Sequence, residues 1–244
     1  MLLGKQIEKC FLVEVDFRNA NFILKSMKCL TNFINKDNSS KPWNRHSDFN
    51  LYIIPKKNLS ISMKDHRFNR ASDCALSLLY HMDDISSFLN KYQSILNDIA
   101  IMDRGFLDMQ VLKPIYAAVA LIGIHVTRPF HHLIMDLDTN YSLLLISFRQ
   151  LHKELTSIKA KDLITKEHTF KFVSEEMFEK SLPIDCLVGK LLETANSYES
   201  SVCTIVQILL KKFAEGFAHQ KGAIFGFGKQ KDEDTNKLLF KLRY

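Results

Sequence analysis

Glycine and proline are scarce in this chain, 8 and 5 among 244 residues. That scarcity excludes the turn-dense β sandwiches, which need a breaker after every short strand. The five cysteines, Cys10, Cys29, Cys74, Cys186 and Cys203, are scattered and odd in number, with no C-x-x-C pair. Neither a zinc site nor a disulfide framework is indicated, and reduced, mostly buried thiols are expected. The opening Met1-Leu2-Leu3-Gly4-Lys5 lacks the basic region and long apolar core of a secretory signal, which points to an intracellular chain. The uninterrupted apolar run Ile115 to Ile124 is about half of what a bilayer span needs, so no membrane partner is expected.

What is present is apolar mass: 46% of residues are hydrophobic, enough to fill a sizeable core and to exclude disorder as the global state. The net charge of +6 permits nucleic acid or an acidic partner without singling one out. The most informative stretch is Pro114 to Phe130, a nearly all-round apolar segment bracketed by prolines. It predicts a buried central helix with Pro114 in its first turn, ended by Pro129, which biases Arg128 away from the helical region.

Around that segment the pattern is helical. Residues 5–36 carry apolar positions closer to helical spacing than to alternation, although Phe11 to Val15 reads equally as a short strand. Asp37 to Ser47 is polar and turn-rich, an exposed loop holding the single Trp43. Ser72 or Asp73 can cap a helix to about Asn90, with Ala75, Leu79, Met82, Ile85 and Leu89 on one stripe. A helix over Tyr92 to Arg104 follows. Thr139 opens another, striped by Leu144, Phe148, Leu151 and Leu155. A short helix over Glu175 to Lys180 stops before Pro183. The last runs from about Tyr198 to His219, with Val202, Val206, Leu209, Phe213 and Phe217 on one face and Gly222 near its C-terminal cap.

Candidate chemistry is thin. Gly222 to Lys229 misses the spacing of a phosphate-binding loop, and Gln230 replaces the magnesium-holding Ser or Thr. His125, His131 and His132 surround Arg128 without a second ligand set at helical spacing, so neither metal nor general base is assigned. Asp136 and Asp138 read as capping residues ahead of the next helix rather than as a cation site. Asp65-His66-Arg67-Phe68-Asn69-Arg70 is the strongest polar patch. Arginine on phosphate with an aromatic on a base is a recurring way to hold DNA. The competing reading, which the local residues favour, is a surface salt-bridge cluster with Phe68 stapled onto the following helix.

Element order adds a resemblance. A helix ending in Asn32-Phe33-Ile34-Asn35, a Ser-Ser-Lys-Pro loop, and Asp65-His66-Arg67-Phe68-Asn69 before an amphipathic helix together resemble the middle of a hAT-family DNA transposase. Thr127-Arg128-Pro129-Phe130, followed by Asp138-Thr139-Asn140-Tyr141-Ser142, is similar to the "Leu-x-Pro-Phe, then Thr-x-Ser" pattern of that family's helical insertion. The resemblance covers Ala20 to Leu155. It departs from the family where Phe68 replaces Trp, and the sequence carries no BED-type zinc finger. The family's two-metal chemistry needs three carboxylates on a ribonuclease H-like sheet. The part bearing the first two acids has no counterpart here, and no third acid is assigned among Glu193, Glu199 and Glu215.

The resemblance implies a mostly α chain, a helical bundle like the insertion domain of a ribonuclease H-like transposase, with at most a short β element near the N-terminus. The expected organisation is an N-terminal helical or mixed segment (1–36), a polar loop region (37–64), a helical core domain (65–220) and a basic C-terminal tail (221–244). The expected function is DNA binding or protein interaction without catalysis, and the alternative is a helical dimerisation module with no nucleic-acid role. Lys64, Arg67, Phe68 and Arg70 are the nucleic-acid candidates. No cofactor, metal or small-molecule substrate is expected. Expected partners are DNA, a second copy or another transposase-like chain, in the nucleus rather than the cytoplasm.

Overall fold

The computed structural model describes residues 26–27, 30–31, 70–91, 109–136 and 140–224. The elements in these segments are helices: α1 (Arg70–Tyr80), α2 (Met82–Lys91), α3 (Met109–Ile122), a π-turn (Gly123–Thr127), α4 (Arg128–Met135), α5 (Tyr141–Ser157), a 3-10 turn (Ala160–Leu163), α6 (Glu175–Ser181), α7 (Asp185–Ser197) and α8 (Glu199–Ile224). No strand occurs among the described residues. The mostly α expectation therefore holds for them. The loop 37–64, the Phe11 to Val15 alternative, the Tyr92 to Arg104 helix and residues 225–244 lie outside them.

The core is built around α3, against which α1, α7 and α8 pack. Leu112, Ile115, Tyr116, Ala117, Ala118 and Leu121 are fully buried. An apolar surface on every side needs neighbours on every side, and the alanines keep those neighbours close. From the N-terminal segment, Met27 and Leu30 join the same core, and the Tyr116 hydroxyl donates to Ser26 Oγ at 2.9 Å.

Both proline expectations need correction. Pro114 lies inside α3, which starts a turn earlier at Met109. The carbonyl that its missing N–H leaves unserved belongs to Gln110, an exposed residue where water can bond instead. Pro129 does not end the helix either. Arg128 is helical, with φ −69° and ψ −52°, and its N–H donates to Gly123 O, five residues back. That widened turn makes room for the Pro129 ring, which would otherwise strike the carbonyl of His125. The helical path is thus continuous over Gln110–Met135, long and apolar enough by composition to cross a membrane; 83% of its most apolar window is buried inside the protein, the position of a core helix.

Other boundaries move for local reasons. The helix expected to reach Asn90 breaks at a turn on His81, and it begins at Arg70, so Ser72 and Asp73 lie in the first turn rather than capping it. Ala75, Leu79, Met82 and Ile85 are buried as the stripe requires. Asn140 caps α5, its side chain accepting from Leu143 N at 2.8 Å, and Ser174 caps α6 in the same way. Helix α7 has no counterpart in the sequence expectation. Helix α8 is rotated relative to it, burying Val202, Ile205, Val206, Leu210 and Ala214, and it continues past Gly222 to Ile224.

Candidate functional site

Of the sequence-predicted nucleic-acid residues, Lys64, Arg67 and Phe68 lie outside the described residues. Arg70 opens α1, and its side chain is likewise outside them. The residues matched to the transposase insertion pattern are structural where they are described. Thr127 packs at the α1 contact, with Oγ1 3.3 Å from Ser72 Oγ. Phe130 meets Phe148 of α5 edge-on, ring centroids 4.6 Å apart.

Arg128 is the hub between three elements. Its Nε donates to Asp73 Oδ1 of α1 at 2.8 Å, a second nitrogen lies 2.7 Å from the same oxygen, and Nη1 donates to the Ser181 carbonyl at the end of α6 at 3.3 Å. A planar guanidinium serves both directions at once, which a lysine cannot.

One turn earlier, His125 lies in the π-turn with its ring buried and stacked on Phe178 of α6, centroids 5.6 Å apart and planes at 24°. Its Nε2 is 3.0 Å from the Thr165 carbonyl. That carbonyl can only accept, so Nε2 carries the proton. Nδ1 is buried without a hydrogen-bond partner. Burial pushes its pKa down to about 4, with the Thr165 and Leu163 backbone opposing the shift and His168 adding to it. His168 contacts Phe178 as well, with centroids 5.4 Å apart.

Between α4 and α6 a cleft of about 490 Å³ is lined by His132, Met135, Asp136, Ser174, Glu176, Met177 and Lys180. Lys180 donates to Glu176 at 2.6 Å, and the His132 pKa is held below its usual value by burial and by the nearby His131 and Arg128. Apolar side chains also face solvent on α4 and α5: Ile134 is 50%, Met135, which lines the cleft, 65%, Leu143 45% and Ile146 60% exposed. These four were not singled out from the sequence. The available signal was Leu143-Leu144-Leu145-Ile146, four consecutive apolar residues on one helix, which cannot all face one core.

Among the described residues no three His, Cys, Asp or Glu side chains converge as metal ligands. Cys74, Cys186 and Cys203 are free thiols. Comparison with protein-family models, curated proteins and solved structures gives no match to this chain.

Proposed function

We propose that the chain is a non-catalytic helical interaction module of transposase-insertion type, and that the face formed by α4 and the first half of α5 binds a second copy of the chain. The exposed Ile134, Met135, Leu143 and Ile146 carry this reading. Large apolar side chains gathered on consecutive helices, rather than scattered singly, mark association surfaces.

Charge selects the second copy as the occupant. Helix α4 stands between two charged neighbours, in edge-to-face contact with α5 through Phe130 and Phe148 and sharing the cleft with α6. Toward its C-terminal half α5 exposes Arg149 and Lys153, and α6 exposes Glu175 and Glu179 beside the Glu176–Lys180 pair. An apolar centre with a basic side and an acidic side is self-complementary about a two-fold axis, because rotation by half a turn lays the basic side of one copy on the acidic side of the other.

Ile134→Lys and Ile146→Lys test the reading. Both positions are exposed, so each variant should keep the melting temperature of the parent. Each should shift the light-scattering mass from dimer toward monomer. Self-association that survives both substitutions would move the interface elsewhere. Titration with DNA at low salt separates the remaining possibility: binding lost in Arg67→Ala and Phe68→Ala, with no self-association, would favour the nucleic-acid role instead.

A further inference from the structure

The buried His125 is not needed for the proposed interface, yet it is placed where it controls one segment of the fold. Two side chains at the π-turn hold the stretch from residue 164 to residue 181 onto α3 and α4. His125 bonds the Thr165 carbonyl and stacks on Phe178, and Arg128 bonds the Ser181 carbonyl. Beneath this stretch Phe170, Phe172, Val173 and Phe178 are buried in the common core. Three aromatic side chains from one irregular segment and one short helix thus lie beneath these contacts, and Glu154 of α5 adds a further tie by accepting from Lys171 N at 3.0 Å.

We propose that residues 164–181 form an acid-released strap, latched over the π-turn by neutral His125 and opened when this imidazole takes up a proton. The chemistry follows from the tautomer. With Nε2–H committed to Thr165 O, an incoming proton must go to Nδ1, which is buried without a hydrogen-bond partner, and it places a positive charge where water is excluded. His168, whose ring also contacts Phe178, adds to the cost of charging His125. That penalty vanishes once the strap swings away and the His125 ring meets water.

No carboxylate is placed to absorb the new charge. From α1, Asp73 is held by Arg128, and from α5 Glu154 is held by Lys171 N and Gln150. On α6, Glu175, Glu176, Glu179 and Lys180 lie on the exposed side, as do Lys166, Glu167 and Lys171 on the strap. On α4, His131 and His132 are exposed. The depressed pKa of His125 has His168 as its one charged contributor, and that contribution is repulsive.

Hydrogen exchange of the full chain, followed by mass spectrometry between neutral pH and about pH 5 and corrected for intrinsic rates, reads the latch directly. Opening of 164–181 should increase by about tenfold per pH unit below about 6.5, the slope for uptake of one proton. Peptides from α3 and α7 should stay far more protected than the strap, losing only what the acid dependence of global stability removes. The variant His125→Phe with His168→Gln should make the strap insensitive to pH over this range. If that variant fails to fold, imidazole titration of the unmodified chain by NMR decides. A His125 signal that titrates below about pH 5, with strap amides shifting in step, supports the latch. A His125 that titrates near its ordinary value, exchange that loosens across the whole chain at once, or undiminished pH dependence in the double variant overturns it.

Discussion

Arg128 and Asp73, 55 residues apart in sequence, meet through two guanidinium contacts on one carboxylate oxygen at 2.8 and 2.7 Å. The pair fixes α1 against the start of α4, and the third contact of Arg128 reaches the end of α6. With side-chain exposures of 23% and 40% the pair is partly screened. We expect Arg128→Ala to cost about 1–2 kcal/mol in urea unfolding, below the full value of a buried charged hydrogen bond. Arg128→Lys should recover little of it, because an ammonium cannot address Asp73 and Ser181 together.

Gly123 and Ser72 set the closest approach of α1 to the central helix. A Cβ on Gly123 would fall 2.4 Å from Ser72 Cβ and 2.8 Å from its Oγ. A Cβ cannot rotate away, so the two helices must separate. Gly123→Ala should destabilise by about 1–3 kcal/mol as overpacking does, despite the gain of roughly 1 kcal/mol in helix propensity. Adding Ser72→Gly removes both clashing atoms and should restore part of the loss in the same melting experiment.

Acid should weaken the fold through His125. Its folded pKa, about 4, lies below the ordinary imidazole value of 6.5. Between these values the unfolded chain binds more protons than the folded one, so stability is full above pH 6.5, falls as pH drops toward 4, and loses nothing further from this group below that. The total is on the order of 3 kcal/mol. Unfolding free energies measured across this window should show the slope, and His125→Phe should flatten it.

Thiol chemistry should separate the described cysteines. Cys74 is 2% exposed, and burial, with Asp73 beside it, raises its pKa to about 12. Cys186 is exposed. Alkylation of the native chain, resolved by peptide mass, should modify Cys186 quickly and leave Cys74 untouched until denaturant is added. Early labelling of Cys74 would mean that α1 opens locally from α3.

Periodicity revealed the helices whose apolar stripe is uninterrupted. The stripes of Ala75 to Ile85 and Leu144 to Leu155, and the all-round apolar α3, were legible because the 3.6-residue repeat names the buried face directly. Helix α7 was overlooked, although Leu187, Val188, Leu191 and Ala195 carry the same spacing, because Pro183 and the polar Asp185-Cys186 obscure its start. The π-turn was not legible at all. Pro129 is a helix stop by local rules, and only the tertiary contacts of Arg128 and His125 with α1 and α6 make a five-residue turn the better solution. The clustering of His125, Phe178 and His168 joins α3's end to α6 across more than 40 residues, a juxtaposition no local pattern encodes.

The central claim, association of two copies through the α4–α5 face, is tested most directly by sedimentation velocity of the unmodified full chain over a wide concentration range. We expect a reversible rise from the 28.3 kDa monomer mass to twice that value, weaker at high salt because the basic and acidic sides are exposed and screened. A single species at the monomer mass, at every concentration and at low and high salt alike, would contradict it.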